Sequence, residues 1–292
     1  MALMDTQHLQ AFLSVAKLNS FTAAADQLHL TQPAISKRIA ALEGQLNCKL
    51  FDRIGRGISL TEAGLALLPR ADQILLSVKD TERAISNLSG QVSGSLRLAT
   101  SHHIGLHHLP QILKRFTQQH PSVHLELDFM DSEKAYSAVT RGEAELAIIT
   151  LSSAPPDHIS TTELWQDPLS FVVAQDHQLT KEGHITLEQL SHFPAILPDT
   201  STQTTRLVRE LFENKNLQLS ISMATNYLET IKMMVSIGLG WSTLPNTMTQ
   251  DHDLNTLAVE GTKLSRSLGC INHKDKTLSN AAEAFLLALS ET

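Results

Sequence analysis

Cysteine is nearly absent: the 292-residue chain holds Cys48 and Cys270, far apart in sequence. Two such thiols exclude a disulfide scaffold and are too few for a zinc ribbon. No stretch approaches the ~18–20 uninterrupted apolar residues of a membrane span. Met1-Ala2-Leu3-Met4-Asp5 is not a basic segment followed by an apolar run, so no secretory signal is read there. Low-complexity tracts are missing. So are G-x-G-x-x-G, P-loop, G-x-S-x-G and H-E-x-x-H motifs, which argues against an enzyme. Gly238-Leu239-Gly240 reads as a turn. What is present is 42% apolar residues, enough for real cores. At ~100–200 residues per domain, the length fits two or three folding units. The chain reads as a soluble, cytoplasmic protein.

The net charge of −7 is unevenly spread. Residues 1–60 hold Lys17, Lys37, Arg38, Lys49, Arg53 and Arg56 against Asp5, Asp26, Glu43 and Asp52, a balance of +2. Residues 61–92 carry −1, which leaves −8 for the rest. A small basic head on a large acidic body hints at nucleic-acid contact through the head alone.

That head reads as short helices. Leu9, Phe12, Leu13 and Ala16 recur at helical spacing until Asn19-Ser20 interrupts them. Thr22 reads as the cap of a second helix, Ala23 to Leu28. Thr31 reads as the N-cap of a third, with Pro33 tolerated in its first turn and Ile35, Ile39, Leu42 and Leu46 on one stripe. Asn47 accepts the left-handed conformation that stops it. Leu50 to Leu60 reads as a small hairpin carrying Arg53 and Arg56. Thr61-Glu62 opens a long helix to about Leu88, with Leu68, Ala71, Leu75, Val78 and Ile85 near a heptad seam.

Two helices joined by a tight connection, the second with polar residues at its start, form a helix-turn-helix arrangement. Gln32 and Ser36 lie one turn apart and suit base edges, with Pro33 for apolar contact. Thr22, Thr31, Lys37, Arg38, Arg53 and Arg56 suit phosphates, which fix register without reading sequence. An ordinary solvated helix face has the same composition.

Residues 9–64 also resemble the winged helix-turn-helix of LysR-type bacterial transcriptional regulators. The matching positions are Phe21, Ala24-Ala25, Leu28, Thr31-Gln32-Pro33-Ala34-Ile35-Ser36, Ile39, Leu42-Glu43, Leu46, Leu50-Phe51, Arg53, Arg56, Leu60-Thr61 and Gly64. Asn47 departs from the family's usual Gly. The resemblance implies a multidomain chain. An all-α winged helix-turn-helix domain would span 1–60 and a linker and dimerisation helix 61–90. An α/β two-lobed, periplasmic-binding-protein-like effector domain would span 91–292. Its lobe I would cover about 94–163 and 267–292, and lobe II about 164–266. The implied partners are an inverted-repeat operator in double-stranded DNA, a small-molecule effector, a second chain through the linker helix, a homotetramer, and RNA polymerase. No membrane and no cofactor are expected.

After Ser89-Gly90-Gln91-Val92-Ser93-Gly94 the texture changes to strands alternating with helices. Strands are read at 96–100, 123–130, 145–150, 169–174, 194–197, 217–223 and 241–244. Helices are read at 109–119, 133–141, 203–214 and 227–237. This alternation argues for parallel βαβ units, repeated in a second stretch. A last strand at 268–272 and helix at 278–289 fit either half.

Ligands of such sheets sit beyond the strands' carboxyl ends, at helix N-termini that favour anions. Thr100-Ser101-His102-His103, Thr150, and Asp199-Thr200-Ser201-Thr202 are loops of that kind. Family regulators resemble that layout, with the first loop and 199–202 facing across a cleft. The candidate effector residues are Thr100, Ser101, His102, Thr150, Thr200, Ser201, Thr202 and Asn226. The favoured ligand is a small anion. Hydroxyls without a dedicated Arg in these loops tilt the choice slightly to a compact oxyanion over a carboxylate. The same hydroxyls would serve equally as helix caps. Thr225-Asn226-Tyr227-Leu228-Glu229 is a second wall, whose Glu229 resists an anion.

His102-His103 and His107-His108 suggest a metal, but zinc needs three or four ligands and nothing nearby completes the set. Gly105 and Pro110 also argue against a helix across 102–108. A pH-sensing role stays open. Cys48 reads as a space-filling residue, and Cys270 as the lone thiol of the body, which disfavours an internal redox switch. The sequence therefore reads as a ligand-controlled DNA-binding regulator. The alternatives are a ligand-independent or redox- or pH-responsive regulator of the same architecture, a solute-binding protein, or an enzyme.

Overall fold

The computed structural model describes residues 5–54, 57–250 and 253–291, with backbone alone at 53, 54 and 57. The chain divides into two compact units, Met1–Ser89 and Gly90–Thr292. Among the described residues no helix is long and apolar enough to cross a membrane.

The first unit contains α1 (Thr6–Leu18), α2 (Phe21–Gln27), α3 (Gln32–Leu46), β1 (Phe51–Ile54), β2 (Gly57–Leu60) and α4 (Glu62–Asn87). Each helix starts on a side-chain cap: Asp5, Ser20, Thr31 and Thr61 accept from Gln7, Ala23, Ala34 and Gly64 N–H in turn. The second helix thus begins two residues earlier than the sequence suggests. Ser20, not Thr22, caps it, and Thr22 lies exposed in its first turn. Asn19 and Asn47 end α1 and α3 at φ 48° and 51°, the left-handed stop that Asn tolerates. Leu9, Phe12, Val15, Ala24, Ile35, Leu42 and Leu50 pack into one core. Antiparallel β1 and β2 form the wing. The first turn of α4 sits so close to it that a Cβ on Gly64 would lie 2.3 Å from the Leu50 carbonyl oxygen.

The heptad seam of α4 is divided. Ala71 is buried in the head core and Leu68 and Leu75 pack against it, whereas Leu65, Ile74, Val78, Ile85 and Leu88 are exposed.

The second unit runs β3 (Gly94–Thr100), α5 (His102–His107), α6 (Pro110–Gln119), β4 (Val123–Phe129), α7 (Ser132–Thr140), β5 (Leu146–Thr150) and β6 (Ile159–Ala174). It continues with α8 (Leu187–Ser191), β7 (Ala195–Leu197), α9 (Gln203–Glu213), β8 (Ile221–Ala224) and α10 (Leu228–Ser236). The last elements are β9 (Ser242–Pro245), β10 (Leu254–Leu257), β11 (Leu264–His273) and α11 (Asn280–Ser290).

The expected parallel βαβ units are only partly present. β3 pairs parallel with β4 and β5, and β7 with β8. β11 runs antiparallel to β5 and β6, and β9 and β10 run antiparallel to β6. β5 and β6 flank β11, each antiparallel to it, and so run parallel to each other, but residues 151–158 join them without a helix. β6 is also far longer than the 169–174 strand read from sequence. It passes through Pro168, which pairs with Ser265 on one side and begins to pair with β9 only at Leu169. A residue with one strand neighbour can dispense with its N–H.

One core gathers β3, β5, α6 and α11 around Leu96, Ile112, Phe116 and Phe285. Another gathers Phe171, Val208, Phe212 and Trp241. β6 and β11 feed both, through Trp165 and Leu268 in the first and Leu169 and Leu264 in the second. The expected lobe boundaries, 163/164 and 266/267, fall inside these two strands.

Candidate functional sites

On α3, Gln32 is exposed and its Nε2 donates to Ser36 Oγ at 2.8 Å, so the two polar residues form one linked edge. Pro33 beside them and Lys37 are exposed. Arg38 is half-buried and donates to Gln7 Oε1 at 2.8 Å, which ties α3 to the start of α1. Thr31 is exposed, with its hydroxyl in the cap. Glu43 holds the wing's base, accepting from Lys49 Nζ at 2.6 Å and Leu50 N–H at 2.9 Å. Partial burial pulls its carboxyl upward, but these hydrogen bonds keep it below the usual range. Arg56 and the side chain of Arg53, both expected at phosphates, lie outside the described residues.

In the second unit a cavity of about 60 Å³ opens where α5, α7, α9 and β11 converge. Five of the eight residues expected there line it: Ser101, His102, Thr150, Thr202 and Asn226. Thr100 does not. It is fully buried, and its Oγ1 donates to the Ile148 carbonyl at 2.8 Å inside the sheet. Thr200 and Ser201 are also off the lining; Ser201 is turned to Asp199, which its N–H and hydroxyl both bind. Thr202 lines the space but its hydroxyl is spent, donating to the Asp199 carbonyl and accepting from Thr205 N–H. For this residue the capping role holds. Asn226 Oδ1 accepts from Asp199 N–H and braces the same loop.

The sequence reading missed His103, Ser132, Glu133, Gln203, Thr204 and Arg266. The loops carry no Arg, but Arg266 enters the site from β11. It is 8% exposed, with Nε on Asp167 Oδ2 and Nη1 on Thr204 Oγ1, both at 2.8 Å. His103 is 5% exposed and neither ring nitrogen has a hydrogen-bond partner. Asp167 Oδ2 stands 3.8 Å away. Burial, helped by Arg266, pushes the imidazole down to about 3, so this contact joins a neutral ring to a carboxylate and is no ion pair.

Residues 102–107 are helical, contrary to expectation. Gly105 is the point where α5 meets Phe129, since a Cβ there would lie 2.4 Å from the ring. Pro110 opens α6 instead of breaking α5. His102 stacks on Phe129, with ring centroids 5.2 Å apart, and contacts Tyr227 at 4.9 Å. Of the second wall, Asn226 and Leu228 line the space. Glu229 faces His107 at 3.8 Å outside it, so the carboxylate an anion would meet is Glu133. Among the described residues no group of three His, Cys, Asp or Glu could hold a metal ion. Cys270 is buried and its thiol is pushed up to about 12, which removes it as a reactive thiolate at neutral pH. Cys48 packs half-buried against the head core.

A helix-turn-helix head with a wing, and a two-lobed α/β unit enclosing a polar cavity, define a DNA-binding regulator with an effector-binding body. Residues 6–65 match the family described as bacterial regulatory helix-turn-helix protein, lysR family, and residues 89–292 match the LysR substrate binding domain. The chain belongs to the LysR family of transcriptional regulators. It is 31% identical over 283 residues to the HTH-type transcriptional activator CmpR of Synechocystis, covering 95% of this chain and 92% of that one. It is 32% identical over 284 residues to the HTH-type transcriptional regulator YeiE of Escherichia coli, covering 96% and 95%. These relatives are named as regulators of transcription, not as enzymes, and the chain is of that class. Its fold is similar to full-length OxyR C199D from Pseudomonas aeruginosa (TM-score 0.71, 21% identity, 100% of this chain and 95% of that). It is also similar to full-length CbnR complexed with its target DNA (TM-score 0.67, 22% identity, 98% and 99%).

Proposed function

We propose that this regulator, working in the cytoplasm, changes its DNA binding or promoter output when a small anion enters the cavity between the lobes of its second unit. The observation that carries this is His103: a nearly fully buried side chain with both nitrogens unpartnered, beside Arg266 and the first turn of α9. Buried polar groups are ordinarily paired, and an unpaired one on a cavity wall points to a ligand that completes it. Ser101, Ser132 and Thr150 hydroxyls, Arg266 and the Thr204 N–H in the first turn of α9 supply donors on the same wall.

The linked Gln32–Ser36 edge and Pro33 read bases in the major groove, while Thr22, Thr31, Lys37 and Arg38 meet phosphates. α4 is ~39 Å long at 1.5 Å per residue. Its exposed Leu65, Ile74, Val78, Ile85 and Leu88 pair it with a second chain, so the operator is an inverted repeat. Assembly to a tetramer and contact with RNA polymerase extend the same reading.

The test is fluorescence anisotropy of the full chain on an inverted-repeat operator, with and without candidate carboxylates and oxyanions. An anion that shifts wild-type affinity should have no effect on Ser101→Ala combined with Thr150→Val. A double variant that responds like wild type removes the cavity from the reading.

A further inference from the structure

The cavity contains more than anion-binding groups. Its donors are Arg266, the Thr204 N–H in the first turn of α9, and three hydroxyls. Those of Ser101 and Thr150 make no hydrogen bond to the described residues, and Ser132 Oγ accepts from Thr150 N–H and keeps its own proton to give. Facing them are acceptors with nothing to accept. Gln203 Oε1 is buried without a partner. A neutral imidazole always has one nitrogen that is an acceptor, and at His103 neither nitrogen is engaged. Burial raises the Glu133 carboxyl above its usual range, while its own N–H and that of Gln203 draw it back, and no side chain of the described residues hydrogen-bonds to it. Glu133 stands on α7 and Gln203 on α9, so this carboxylate already reaches across to the helix N-terminus that an anion would seek.

The charges agree with the hydrogen-bond count. Arg266 is matched by Asp167, and Asp131 by Lys134 at 3.4 Å. Arg206 of α9 donates to the Ser201 carbonyl. Glu133 is the lining carboxylate that makes no ion pair with the described residues; burial pushes its carboxyl above the usual range, although Arg206 pulls it back. A fully deprotonated oxyanion placed against the donors would meet that carboxylate with no proton between them.

We infer that the ligand of this cavity carries a hydrogen-bond donor beside its negative charge, as a 2-hydroxy acid or a protonated oxyanion does, with Glu133, Gln203 and His103 accepting from it. This rests on the reading of the cavity as the effector site. It also changes the tilt toward any compact oxyanion: sulfate is compact but has no proton to give. A site built to bond an O–H discriminates strongly against the analogue that lacks it, because its buried acceptors then stay empty.

The experiment is isothermal titration calorimetry of the full chain at pH 7 with two matched pairs, glycolate against acetate and phosphate against sulfate. The donor-bearing member of at least one pair should bind about tenfold tighter or better, a difference of ~1.4 kcal/mol. Discrimination in the first pair identifies a hydroxy acid, and in the second a protonated oxyanion. Glu133→Gln should raise sulfate relative to phosphate at least about fivefold, since the amide can donate where the carboxylate repelled. Gln203→Leu should weaken the donor-bearing probes relative to their partners. If both members of both pairs bind alike, or neither substitution moves the ratios, the inference is overturned while the anion site stands. If none of the four probes binds, the anion reading of the cavity falls with it.

Discussion

Replacing Asp167 by alanine tests whether the buried pair behind the cavity holds the second unit together. Asp167 on β6 and Arg266 on β11 are cross-strand partners, 3% and 8% exposed, with Nε–Oδ2 at 2.8 Å. At an effective dielectric of ~20 their attraction is about 6 kcal/mol. Desolvating two ions costs several kcal/mol each, so the intact pair is worth little net. Removing one partner is different. It strands the Arg266 guanidinium, whose remaining link is Thr204, at a position only 8% exposed. The expected loss is about 3–5 kcal/mol.

The assay is urea unfolding followed by tryptophan fluorescence. Both tryptophans of the chain, Trp165 and Trp241, lie in the second unit, so the signal ignores the DNA-binding head. With a slope near ~3 kcal/mol/M, the midpoint should fall by about 1–2 M with the slope unchanged. The double variant Asp167→Leu with Arg266→Met, which leaves no charge unpaired, should recover most of that loss. A single-variant shift below about 0.3 M, or a double variant no better than the single, refutes the account.

Three further substitutions test the cavity wall and the head. His103 sits well below its ordinary value of 6.5, at about 3, because burial opposes its charge. The unfolded chain therefore takes up this proton first. Stability is complete above pH 6.5 and declines as pH falls toward 3, by up to ~1.4 kcal/mol per unit for this group. His103→Gln should flatten the urea midpoint between pH 7 and 5, and an unchanged slope contradicts the assignment. On the head, Lys37→Ala should weaken operator and random DNA alike and lower the salt slope by ~1, whereas Gln32→Ala should relax one base position per half-site. Unaltered affinity at low salt, or an unaltered binding motif, removes the respective role.

The head was legible because its signals are local. One stripe of Ile35, Ile39 and Leu42 places α3, and Thr31 and Asn47 mark its ends with side chains whose capping and left-handed preferences are intrinsic. β5 was legible for a similar reason, as all five residues of Leu146–Thr150 are buried and Leu146–Ile149 are continuously apolar. The first half of β6 was not. Its exposed residues alternate poorly, it ends in Pro168, and the partner that makes it a strand, β11, follows 99 residues later for the pair Asp167–Arg266. α5 was hidden too, because its Gly105 answers to Phe129, a contact that no local pattern announces.

The site divides along the same line. Hydroxyl-rich loops stand out in a sequence, but Ser and Thr before a helix have a nearer duty: Thr202 spends its hydroxyl on α9, and Ser201 is absorbed by Asp199. One distal signal was readable. In Leu264-Ser265-Arg266-Ser267-Leu268, strand alternation puts Arg266 on the same inward face as two leucines. A charge at that parity must have a buried partner, so it marks a site more reliably than any loop of hydroxyls. What alternation could not supply is the identity of the groups it meets, since Asp167, Thr204 and His103 arrive from three separate elements. The chemistry of the cavity is therefore set by acceptors and a cation brought together only by the fold.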